Sequence, residues 1–253
     1  MEASFITQAI VLSRKDYREH DSLVVFYTLL QGKRILLARG VKKITSKLAG
    51  HLEPFNLVDL MSIYGKNWDY VGSVIARETF PIIKKDINRL YYAGLAFNWV
   101  QKILEDEQAD EDIFNLLTDY LKQLESMSIA NENNKTNNLS KNQGELLFSF
   151  FIFKFLAFSG YNPQIKNCLD CGQVISPGQN FFNLNSGGLV CRHCFANINQ
   201  TQKLEFLTIS DNCVKLVRFI LENPLKFSTK VKIDHKLSKE IFNLSHNFIK
   251  FRL

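Results

Sequence analysis

Four cysteines carry the clearest chemistry in this sequence. They stand as Cys168-x2-Cys171 and Cys191-x2-Cys194, with 19 residues between Cys171 and Cys191. Each C-x2-C pair can close a tight knuckle that points both sulfurs at one metal, and two knuckles supply the four thiolates that suit tetrahedral zinc. Gly172 follows the first pair, where a small residue eases the turn. Pro177-Gly178 and Gly187-Gly188 offer the turns that would bring the knuckles together. With all four positions filled by thiolate, no position is left for a catalytic water, so the expected cofactor is one structural Zn2+ per chain. It would compensate for a segment with few apolar residues of its own. Disulfides, redox thiols and unligated core cysteines are the competing readings. A reducing compartment disfavours the first, and the duplicated knuckle disfavours the other two. His193, between the second pair, is read as facing solvent or phosphate. Cys213 stands alone and is read as a small buried apolar residue.

The second chemical feature is cationic. Arg39-Gly40-Val41-Lys42-Lys43-Ile44-Thr45-Ser46-Lys47 holds four basic residues and no acidic one. With Arg14, Lys33 and Arg34 these residues, Arg39, Lys42, Lys43 and Lys47, form a candidate set for binding a nucleic-acid backbone. Cations displace condensed counterions from a nucleic-acid backbone, and a flexible basic loop suits phosphates better than bases. Tyr17, Tyr27, Tyr64, Trp68 and Tyr70 are candidates for stacking on bases. The formal net charge is +6. It is uneven: residues 1–80 carry 11 Lys/Arg against 8 Asp/Glu, 81–160 carry 8 against 11, and 161–253 carry 12 against 6. Basic ends around an acidic middle favour a polyanionic partner, the alternative being a merely Lys-rich surface.

Motifs for bond chemistry are missing. There is no G-x4-G-K-[ST], no G-x-S-x-G and no H-E-x-x-H, and the five histidines are scattered. The acidic run Glu105 to Asp112 has no Lys or His beside it in sequence and is read as solvated surface. The expectation is a protein that is not an enzyme. No secretory leader is recognised at the start, where Glu2 stands in place of a basic region. No apolar run reaches the ~18 residues of a membrane span. The expected location is cytoplasmic.

The elements that must position these residues fall into two groups. Phe5–Leu12, Leu23–Leu30, Arg34–Ala38, Phe55–Tyr64 and Tyr70–Ala76 read as five short strands with close turns, which suits an OB-type barrel over residues 1–80. After Pro81 the spacing becomes helical. Ile87, Leu90, Tyr91, Gly94, Phe97 and Leu104 share one face, with Asp86 as N-cap, and Ile113, Leu116, Leu117, Tyr120, Leu121 and Leu124 share another. The Asn-rich stretch 130–143 reads as a mobile insertion. The almost wholly apolar run that follows reads as a buried central helix, stopped by Gly160 and Pro163. Residues 164–200 are loop-rich and hold the zinc module. Asp211–Glu222 and Leu237–Lys250 give two more helices. The fold class is α+β: a five-stranded OB-type β-barrel at 1–80, then an all-helical domain at 81–253 containing the four-cysteine zinc module.

Taken together, the motifs resemble those of the RecO family of bacterial recombinational-repair mediators, nearly end to end. The resemblance lies in Ile10–Arg14, Tyr17–Asp21, Thr28 and Gly32, Ala38–Lys43, Ser46–Gly50 and Leu52–Phe55 of the first part. In the second part it lies in Leu156, Gly160–Pro163, Cys168-x2-Cys171-Gly172, Phe181, Gly187-Gly188 and Cys191-x2-Cys194. Residues 130–143 and the last ~40 match poorly. The resemblance implies binding of single- and double-stranded DNA, annealing of complementary strands, and contact with RecR and with the acidic C-terminal tail of single-strand binding protein. It further implies help in loading RecA onto coated strands, and a nucleoid-associated location. An RNA-binding zinc and OB protein, or a nucleic-acid enzyme, are the alternatives that the residues by themselves leave open.

Overall fold

The structure is a computed structural model and describes residues 4–127 and 139–252. The chain forms two compact units, Met1–Ser126 and Met127–Leu253. The change from strands to helices falls near residue 80, but the first three helices pack with the barrel in one unit.

In the first unit, β1 (Ser4–Asp16), β2 (Ser22–Thr28), β3 (Gly32–Ala38), β4 (Leu57–Ile63) and β5 (Tyr70–Glu78) curl into a barrel in the order β1-β2-β3-β5-β4. This is the five-stranded OB arrangement expected from the sequence. β1 is the longest strand and pairs with both β2 and β4, bending at an irregularity between Val11 and Ser13. The weak seam is β3–β5, held by the single register pair Leu37↔Tyr70. Inward-facing Ala9, Val11, Val24, Phe26, Leu36, Val58, Leu60 and Val74 fill the interior. Their alternation with outward residues is the two-residue period of a strand with one face dry.

Three helices follow: α1 (Pro81–Lys85), α2 (Ile87–Ile103) and α3 (Glu111–Ser126). Asp86 caps α2 as its spacing predicts, accepting from the backbone N–H of Asn88 and Arg89. Arg89 is completely buried; its guanidinium lies 3.3 Å from the Asp86 carboxylate and donates to the carbonyls of Leu124 and Glu125 at the end of α3. Glu125 in turn accepts from Ile82 and Ile83 N–H at the start of α1. The helices are thus tied end to end by capping groups rather than by packing alone.

The second unit is built on α4 (Lys141–Phe158). Every residue from Gly144 to Phe153 is buried, as the apolar run requires of a central helix. Of the stretch 130–143 read as an insertion, residues 130–138 lie outside the described residues. Leu139 is buried, Ser140 caps α4, and Lys141–Gln143 are already helical. Packed against α4 are α6 (Asp211–Glu222) and α7 (His235–Lys250). Across the α4–α7 seam, Ser238 donates to the buried Glu145 carboxylate and Ser245 bonds Ser149. The expectation of helices alone is incomplete. β6 (Asn180–Asn183), β7 (Gly188–Val190) and β8 (Phe206–Ile209) form a small antiparallel sheet in the order β7-β6-β8. The short helix α5 (Arg192–Ala196) follows β7.

Candidate metal centre and nucleic-acid interface

The four cysteines converge. The Sγ atoms of Cys168, Cys171, Cys191 and Cys194 all lie within 4.8 Å of one another. A tetrahedral ion with metal–sulfur bonds of about 2.3 Å holds its sulfurs about 3.8 Å apart, and Cys171 and Cys191 are 3.9 Å apart. The donor set fits a metal. The first knuckle folds because Gly172 adopts φ +71° and donates its N–H to the Cys168 carbonyl, while Cys168 N–H reaches Gln173 O. The second knuckle starts where β7 ends, so that Cys191 N–H points at the Cys168 sulfur, 3.4 Å away. Burial pushes the Cys168 thiol up, but backbone N–H groups of Cys171, Cys191 and Asp170 more than offset this and bring it to about 7. Cys194 moves the other way, to about 12, through its hydrogen bonds with the Cys191 and other thiols and some burial. Four sulfurs at this spacing cannot all ionise without a cation among them. His193 is exposed and outside the cluster, and Cys213 is fully buried in α6, both as expected. Behind the knuckles, Phe181 of β6 stacks on Phe195 of α5 at 3.6 Å between centroids.

The cationic loop between β3 and β4 is not the free flexible loop that its composition predicts. Val41 and Leu52 are buried in the barrel core, with Leu48 and Ala49 packed against it. These apolar positions stop one end of the barrel, and they leave Lys42, Lys43 and Lys47 exposed on the outside. The loop is also bonded to the β1–β2 hairpin. Gly40 N–H donates to the Asp21 carboxylate (2.8 Å), Lys42 N–H to His20 O (3.0 Å), and the Arg14 guanidinium to Ala49 O (3.0 Å). A cleft of about 490 Å3 opens there, lined by Arg18, His20, Arg39 and Lys43 among others. Lys42 is partnered by Asp16 at 2.8 Å, an exposed pair of small energetic weight. Arg39 lies over the Tyr70 ring, 4.4 Å from its centroid. Arg18, outside the candidate set but within the Tyr17–Asp21 stretch of the resemblance, joins this surface.

Lys33 and Arg34 are placed differently from the other five. Both side chains are largely buried and committed to partners within the unit. Lys33 donates to the carbonyls of Gln101 and Leu104 at the end of α2 and lies 3.1 Å from Asp106. Arg34 pairs with Asp69 and, at 2.9 Å, with Glu107. The acidic connector between α2 and α3 is therefore not wholly solvated surface. It runs along the β3 edge that β5 leaves open, with Glu107 N–H bonded to Lys33 O and Asp106 bridged in parallel to Lys33. A Cβ on Gly32 would fall 2.0 Å from Gln108 O, so only glycine admits this approach. Tyr27 is also claimed here. Its hydroxyl accepts from Asp110 N–H and donates to Asp110 O, and burial pushes its pKa up to about 12. Among the stacking candidates it is a core residue. Tyr17, Tyr64 and Trp68 are each about 40 % exposed.

The family comparisons agree with this architecture. The family model described as Recombination protein O N terminal matches residues 1–78, and that described as Recombination protein O C terminal matches residues 84–253. The chain is 26% identical over 249 residues to DNA repair protein RecO of Alkaliphilus metalliredigens, covering 98% of this chain and 93% of that protein. It is 28% identical over 244 residues to DNA repair protein RecO of Roseiflexus sp., covering 96% and 79%. To DNA repair protein RecO of Dehalococcoides mccartyi strain 195 it is 29% identical over 245 residues, covering 94% and 86%. No helix among the described residues is long and apolar enough to cross a membrane. A barrel of OB order, a following helical region with a four-thiol cluster, and two family models that together span nearly the whole chain lead to one assignment: this chain belongs to the RecO family of DNA repair and recombination proteins.

Proposed function

We propose that this protein binds single- and double-stranded DNA through the barrel end formed by the β1–β2 hairpin and the β3–β4 loop, and anneals complementary strands as a recombination mediator. The observation that carries this reading is the loop itself. Val41, Leu48, Ala49 and Leu52 are spent on the barrel core, while Arg39, Lys42, Lys43 and Lys47 face out beside Arg14 and Arg18, with Ile44 exposed among them. Held cations suit phosphates, and phosphate contacts position a strand without reading its sequence. Lys33 and Arg34 serve the barrel rather than the DNA on this reading, because both side chains are largely buried and paired within the unit. Annealing needs no bond chemistry from the protein: cations screen the repulsion of two strands and base pairing supplies the driving force. The family further supports RecR and the acidic tail of single-strand binding protein as partners and help in loading RecA, with action at the nucleoid in the cytoplasm.

The ion in the cysteine cluster is zinc on this reading, since four thiolates in a tetrahedron are its preferred structural donor set. Cys168, Cys171, Cys191 and Cys194 would hold it. Its chemistry there is to fix the two knuckles and the β6–β8 sheet, with no open position for a reaction.

The test is annealing of complementary oligonucleotides without nucleotide cofactor, with and without single-strand binding protein, together with metal content on the same sample. Acceleration with about one zinc per chain is expected. Failure to bind oligonucleotides at low salt would overturn the reading. Competition between oligothymidylate and oligouridylate separates the DNA reading from an RNA-binding one, and magnesium-dependent cleavage would instead indicate an enzyme.

A further inference from the structure

Two aromatic rings stand where loops of the barrel meet. Tyr17 lies at the β1–β2 hairpin and Trp68 in the β4–β5 turn. Their rings are edge to face with centroids 5.9 Å apart, each with about two fifths of its surface open. Neither is needed to fill the core, which the inward strand residues complete. The Trp68 turn is rigid: Gly65 N–H donates to the Asp69 carboxylate, Leu37 N–H donates to Asp69 O, and Arg34 binds the same carboxylate. The Tyr17 side is held too, with the N–H groups of Tyr17 and Arg18 both bonded to Asp21 O. Cations stand at the pair: Arg18 lies over the Tyr17 ring, 5.2 Å from its centroid, leaving Trp68 the ring of the two without a cation on it among the described residues, and Arg39 covers Tyr70, two residues beyond Trp68.

Large apolar rings are costly to leave in water, and here they are held open by a scaffold that fixes their position. An exposed indole braced edge-on by a second ring, beside cations suited to phosphate, can stack on the face of an unpaired base, which a duplex hides within its stack. We infer that the Tyr17–Trp68 pair is a base-stacking platform that would favour single-stranded over double-stranded DNA at this interface. The proposal rests on the DNA-binding reading above and assigns that interface its selectivity. The cations hold either form by its phosphates. The rings reward only a strand whose bases are free. Stacking releases no counterions, so the platform adds affinity without adding to the salt dependence.

The experiment is titration with an oligothymidylate and with a blunt duplex of equal length, at several salt concentrations, read by anisotropy and by tryptophan emission. Oligothymidylate should quench the emission, with the same midpoint as the anisotropy, and the Trp68→Phe protein should lose the quench. Trp68→Ala should weaken single-strand binding by about 5- to 100-fold, leave duplex binding within about twofold, and leave the salt slope unchanged. Trp68→Phe, which keeps a ring, should recover most of the lost affinity, and unchanged thermal unfolding shows that both variants are folded. If wild-type protein binds but Trp68→Ala binds single strands as tightly, or weakens both forms equally, the platform is wrong while DNA binding stands. If wild-type protein binds neither form, the underlying reading fails.

Discussion

At the residue scale, the structure separates cations that look alike in sequence. Lys33 and Lys43 are both in basic stretches of the barrel. Lys33 satisfies the last carbonyls of α2, whereas Lys43 faces solvent at the cleft. Lys33→Ala is therefore expected to destabilise the protein by about 1–3 kcal/mol, since buried acceptors lose their donor, with little change in the salt dependence of DNA binding. Thermal or urea unfolding together with a salt titration checks both halves. The thiols make a second case. Cys171→Ser removes one ligand of four, and metal content should fall from about one ion per chain toward none. Hydrogen exchange should then show loss of protection in the β6–β8 sheet, because the sheet and knuckles share one short segment. Retained metal would mean that the cluster is not the site.

At the element scale, what was legible in the sequence followed from local rules. The strands of the barrel alternate with a period of two, and the α3 stripe from Ile113 to Leu124 is buried as its spacing requires. The cysteine knuckles were legible because their spacing is short and repeated. The β6–β8 sheet was not: strands of three or four residues beside a metal module carry no periodicity to read. Nor was the docking of the acidic connector on β3, because Arg34 and Glu107 meet across 73 positions of the chain. That contact has a measurable consequence. Gly32→Ala would collide with Gln108 O, and at a φ of +66°. It should destabilise the first unit by more than about 1 kcal/mol, since both strain and lost approach add to the cost. The buried Arg89 makes the same kind of point about helices. Arg89→Leu leaves the Asp86 carboxylate buried beside an apolar chain, and a loss of about 3–5 kcal/mol is expected in denaturant unfolding.

At the scale of the whole molecule, charge and chemistry divide the labour. The first 80 residues carry an excess of 3 positive charges, counted as 11 Lys/Arg less 8 Asp/Glu, and residues 161–253 an excess of 6, counted as 12 less 6. The four clustered thiols lie in the more basic stretch. Such a charge distribution lets a chain hold polyanions by more than one surface, which is what the proposed annealing requires. The most direct test of this account is the salt dependence of oligothymidylate binding by Lys43→Ala/Lys47→Ala, two exposed cations of the β3–β4 loop. Each single-strand phosphate contact contributes about 0.7 to the slope of log affinity against log salt, so the double variant should flatten it by about 1.4. A slope equal to that of the wild-type protein would contradict the account, because the loop would then face solvent and not phosphate.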